Sequence, residues 1–127
     1  MKKLACAAVV ALLAMVSQQG LASVAEDSFR LDTFKDLVAL CGVEASDPNA
    51  NAAIHMCHGY VIGLVHFHEL MGRALDGTVF CMAEDQRPAR DAAIDMLVRW
   101  SRGHPEYDSE EAIDGVLRWA AAKYPCS

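Results

Sequence analysis

No apolar run in this chain of 127 residues is long enough to cross a bilayer. A spanning helix needs roughly 20 residues, and the run from Leu4 to Val16 has 13. No Cys-x-x-Cys pair occurs, so the spacing of a zinc ribbon or finger is missing. No Gly-x-Ser-x-Gly elbow is present, which removes the usual frame for a serine nucleophile. No stretch alternates with period two, and there is no internal repeat, low-complexity tract or linker. Basic residues are also scarce, at 11 Lys and Arg against 17 Asp and Glu. Nucleic acid and anionic lipid both require basic patches, so neither is an expected partner. An acidic surface suits a partner that presents a basic one.

What is there begins with a leader. Lys2 and Lys3 precede the apolar run, and small residues follow it, the pattern of a secretory signal peptide. Cleavage is expected after Ala22, with Gly20 at the −3 position, or after Ala25, with Ser23 there. Residues 1–22 are thus read as the signal peptide and 26–127 as one helical domain, with no membrane anchor after cleavage. Cys6 falls inside the leader and precedes most of the apolar run, unlike a lipoprotein cysteine. The remaining four, Cys41, Cys57, Cys81 and Cys126, are an even set in a small exported domain and predict two disulfides. A bacterial periplasm fits both features.

Helical periodicity accounts for the rest of the chain. A first helix is expected from Phe29 to Cys41, with Thr33 and Asp36 at its cap and Phe34, Leu37, Val38 and Cys41 on one stripe. Asp47-Pro48 is expected to open a second helix reaching about Met71, or as far as Asp76-Gly77. One face of it carries Cys57, Tyr60, Val61, Leu64, Phe67, His68 and Met71. The opposite face carries His55, Gly59, Ile62, Gly63, His66 and Leu70. A third helix, from Asp85 or Pro88 to Ser101, presents Ala89, Ala93, Met96, Leu97 and Trp100. Asp108 with Glu111 predicts a capping box for a fourth, lined by Ile113, Val116, Leu117, Ala120 and Tyr124. The expected fold is all-α: a small four-helix domain stapled by two disulfides. A short turn after the third helix makes the last two antiparallel, which brings Cys81 to Cys126 and leaves Cys41 for Cys57.

Few residues suggest chemistry. His55, His58 and His66 lie within about 80° of one another on the second helix. No carboxylate at helical spacing completes a metal site, although Glu69 is near, so no metal or cofactor is expected. Imidazole titrates near pH 6.5, so these histidines also suit proton sensing. Glu84-Asp85 and Glu110-Glu111 are read as helix-start charges and not as an acid–base couple. No catalytic residue is assigned. Gly59 and Gly63, with His55 and His66 beside them, form the expected interface. Two glycines inside a helix cost about 1 kcal/mol each, and close packing of a second subunit is the expected compensation. Trp119, off the main stripe of its helix, fits either a core rim or an interaction surface.

Several segments resemble the Rap/Tai family of immunity proteins. They are Leu40-Cys41, the run from Cys57-His58-Gly59-Tyr60 to Gly63, Phe80-Cys81, Val98-Arg99-Trp100, His104-Pro105-Glu106 and Tyr124-Pro125-Cys126. The resemblance spans nearly all of residues 34–126, with Met82-Ala83 where the family pattern has leucine-proline. It implies a periplasmic, commonly homodimeric helical protein without enzymatic activity. Such a protein occludes a peptidoglycan-cutting cysteine amidase toxin delivered by type VI secretion. The shared residues are mostly structural, so the resemblance assigns no inhibitory residue. The alternative expectation is a periplasmic acid-stress chaperone similar to HdeA, which is also small, exported and disulfide-bonded.

Overall fold

The computed structural model describes residues 23–75 and 77–127; the expected signal peptide, residues 1–22, lies outside them. Four α-helices and no strand occur among the described residues, with disulfides Cys41–Cys57 and Cys81–Cys126 as expected.

The first helix, α1, covers Phe34–Cys41 and starts later than Phe29. A 3-10 turn at Glu26–Arg30 ends in a left-handed Leu31 (φ 56°), which interrupts the helical path. The Thr33/Asp36 capping box forms as expected. All four N-terminal amides of α1 are satisfied. Those of Asp36 and Leu37 donate to the Thr33 hydroxyl and carbonyl oxygens, and those of Phe34 and Lys35 donate to the carbonyls of Glu110 and Asp108. The start of α1 is therefore tied to the loop before the last helix. Phe34, Leu37 and Leu40 have no exposed surface. Each contributes roughly 1.5–3 kcal/mol of burial. Leu40 takes the central place expected for Val38, which is half-buried.

The second helix, α2, runs from Ala50 to Ala74. Asp47-Pro48 does not open it, because the Asp47 carboxylate accepts hydrogen bonds from the amides of Val24 and Asn49 instead. Those bonds hold its carboxyl below the usual range and fasten residues 23 and 24 to the body. The helix passes through Gly72 and ends at Ala74, between the two expected stops. A Cβ on Gly72 would sit 2.6 Å from the Thr78 methyl, so glycine allows the returning chain to pass close by. The reversal itself uses Gly77, at φ 141°, a conformation that L side chains rarely adopt.

The third helix, α3, is Arg90–Ser101, preceded by a 3-10 turn at Glu84–Gln86. Its buried stripe is Ile94, Leu97, Val98 and Ser101, rotated from the expected one. Ala89 is exposed, while Ala93, Met96 and Trp100 are half-buried. The rotation turns Trp100 edge-on to Phe34 and face-on to His104, with Tyr107 parallel to both. The fourth helix, α4, is Ala112–Lys123. The Asp108/Glu111 box does not form; Glu111 precedes the helix without a capping bond, and the carbonyls of this loop serve α1 instead. Trp119 is buried, edge-on to Tyr124, which places it in the core and not on an outer surface. α1 packs on all three other helices and is the centre of the fold.

Candidate functional site

At 1.5 Å per residue, the 25 residues of α2 extend about 37 Å, while the eight of α1 extend about 12 Å. The difference exposes half of α2. Ala53, Cys57 and Val61 are buried against the body, but no residue of α2 beyond Val61 is. Phe67, expected on the same face as Cys57 and Val61, is 55% exposed. Leu70, Leu75 and Val79 are comparably open.

His55, Gly59, Gly63, His66 and Leu70 follow one another at intervals of three or four and form one exposed strip. A Cβ built on Gly59 or Gly63 meets nothing within 4 Å. The four residues singled out in the sequence are thus brought together, facing outward. The His55 imidazole bonds back to the Asn51 carbonyl. His58 faces the body and shares the lining of one cavity with His66, while His55 does not, so the three histidines do not converge. No group of three or more histidine, cysteine or carboxylate side chains among the described residues is placed to hold a metal.

The chain returning from α2 is held by a side chain whose role the spacing did not reveal. The His68 Nε2 accepts the amides of Val79 (3.1 Å) and Phe80 (3.4 Å), and the ring stacks on Phe80 at 3.8 Å. Only an unprotonated Nε2 can accept, so the proton of the neutral ring is on Nδ1. Burial holds this imidazole below the usual histidine pKa, against the opposing pull of Glu69. One residue on, the Cys81 amide donates to the Tyr124 carbonyl beside the second disulfide. Arg87 pairs with Glu69, joining the approach to α3 to the outer part of α2.

Between α2, this return segment, α3 and α4 lies a cavity of about 250 Å³. Val61, Phe80, Ile94, Val116 and Trp119 supply buried apolar walls. Its polar side is basic, formed by His58, His66, Arg87 and Arg90, and no aspartate or glutamate lines it. The His58 Nε2 is enclosed without a hydrogen-bond partner; the nearest carboxylate, Asp91, is 3.5 Å away. These groups offer recognition and no nucleophile–base pair. The basic side was missed in the sequence because its members come from two segments about 20 to 30 positions apart.

A family model for Rap1a immunity proteins matches residues 33–126. No curated protein and no solved structure matches the chain. The matched region begins at the Thr33 cap and ends at the second disulfide, so it takes in all four helices.

Proposed function

The chain belongs to the Rap1a immunity protein family, and from that premise we propose that it is exported to the periplasm to neutralise a peptidoglycan-cleaving cysteine amidase delivered by type VI secretion. The family match carries this reading, because it covers all four helices and names immunity as the shared role. The geometry supports it. Two disulfides and a core centred on α1 hold a long helix whose outer half presents Phe67 and Leu70 to solvent. Apolar side chains fixed on a rigid element are well suited to block a groove. The protein performs no chemistry itself; it acts by occupying the toxin's active site.

Gly59, Gly63, His55 and His66 are proposed as the contact strip of a homodimer. A helix face without Cβ atoms lets a second helix approach closely, which would offset the helical cost of the glycines. The direct test of function is an amidase encoded beside this gene, mixed with the purified protein at pH 7. Stoichiometric inhibition with nanomolar or tighter binding is expected for a specific inhibitor complex. The same preparation tests the acid-chaperone alternative. Strong protection of aggregating client proteins at pH 3, with no amidase binding at pH 7, would replace the immunity reading.

A further inference from the structure

We propose that the cavity between α2, α3 and α4 binds a medium-chain fatty carboxylate, with its alkyl chain against Trp119 and Phe80 and its head group at Arg90. Three observations converge on that chemistry. An apolar cavity of about 150 Å³ suffices to hold benzene, and this one is about 250 Å³. Its walls of Val61, Phe80, Ile94, Val116 and Trp119 are buried, while His66, Arg87 and Arg90 are exposed and His58, its Nε2 enclosed, is half-buried. On a chain with 17 acidic residues this cavity is lined by none; Asp91 and Glu69 beside it face His58 and Arg87, and the charge left to attract an anion is that of Arg90.

Arg87 is engaged by Glu69, whereas Arg90 has no ion-pair partner among the described residues. Arg90 is therefore the guanidinium free to meet a carboxylate. An alkyl chain suits the interior better than a peptide. Main-chain amides entering the cavity would need partners that Val61, Ile94 and Val116 cannot offer, and an alkyl chain needs none. The proposal does not rest on the effector reading: Trp119, Phe80 and Arg90 lie outside the exposed strip of α2, which the cavity shares only at His66.

The test is calorimetric titration of the purified protein with decanoate, decanol and decyltrimethylammonium. Decanoate is expected to bind best and the cation not at all. A terminally brominated decanoate is expected to quench Trp119, which lines the cavity. Arg90→Glu, an exposed change that leaves the core untouched, is expected to weaken decanoate about five-fold, the scale of one exposed charge contact, and to spare decanol. Ala93→Leu, reaching into the cavity, is expected to weaken both, with its fold checked by circular dichroism. Absence of decanoate binding would overturn the proposal. So would equal affinity for decanoate and the cation, or preferential binding of a peptide ending in leucine. Amidase inhibition, measured alongside, separates failure of this site from failure of the immunity reading.

Discussion

Gly115 and Gly63 are both interior helical glycines, yet they occupy opposite environments. A Cβ on Gly115 would lie 2.7 Å from the Cβ of Phe34 and closer still to its ring. A Cβ on Gly63 would meet nothing within 4 Å. The first belongs to a body in which α1 is enclosed by its neighbours; the second belongs to the half of α2 that extends past them. Neither helix reveals the difference in its own sequence. Space in a helix is granted by what packs on it. At Gly115 the glycine admits a core ring, while at Gly63 nothing within the chain uses the space.

The same substitution at both sites is the sharpest test of that contrast. Gly115→Leu is expected to abolish folding, because the core around Phe34 is closed and overpacking even by single methylenes costs about 1–3 kcal/mol. Soluble expression and circular dichroism read this directly. A folded Gly115→Leu protein with an unchanged melting temperature would show that the body is not packed as described.

The disulfides divide along the same line. Cys41 and Cys57 are buried in the body, whereas Cys81 and Cys126 are exposed at its edge. Mild reductant is therefore expected to open Cys81–Cys126 first, as read by peptide mapping. Cys126→Ser releases a closure spanning 45 positions and is expected to cost about 3–4 kcal/mol. For a domain of this size the melting temperature would fall by on the order of 15 °C. Earlier loss of Cys41–Cys57 would reverse the assignment of rigid and open regions.

Gly63→Leu is expected to raise monomer stability by roughly 0.5–1 kcal/mol, since the helix gains propensity and nothing is displaced. If the glycine strip is the dimer contact, the same variant sediments as a monomer where the native protein sediments as a dimer. Stability and assembly then move in opposite directions, which distinguishes interface loss from unfolding. A dimer that persists in this variant would exclude the strip from the interface.

The smallest effect concerns the latch between the two regions. His68 has a lowered pKa in the folded protein, so the unfolded chain takes up this proton first as pH falls. Its contribution is fully present above the unfolded value of about 6.5 and is lost as pH falls through the lower folded value. Stability measured by urea midpoint is expected to decline across that window. His68→Phe, which keeps an aromatic ring against Phe80 but cannot accept the two amides, is expected to flatten this component. An unchanged pH profile in the variant would assign the decline to other groups.

Much of this was legible in the residues alone. Thr33 and Asp36 are three positions apart and cap α1 through purely local bonds. The disulfide pairing followed from two helices joined by a short turn. The strip of His55, Gly59, Gly63 and His66 followed from helical spacing. Caps that depended on distant partners were less legible: Asp47 is engaged by the amide of Val24, and the loop carrying Asp108 and Glu111 serves α1. The buried stripe of α3 was likewise set by packing, with Trp100 turned edge-on to Phe34, more than 50 positions away.

By itself the sequence determined the helical class, the four cysteines that staple it and the presence of two apolar sides on α2. These rest on periodicity and short-range bonding, which act within a few residues. Only the tertiary structure decided which side is covered, where α2 outruns its neighbours and that His68 would hold the returning chain. It also gathered His58, His66, Arg87 and Arg90 around one cavity. The physical reason is that burial and charge juxtaposition depend on what lies across a gap. In this fold that neighbour comes from another helix, with no trace of it in the local spacing.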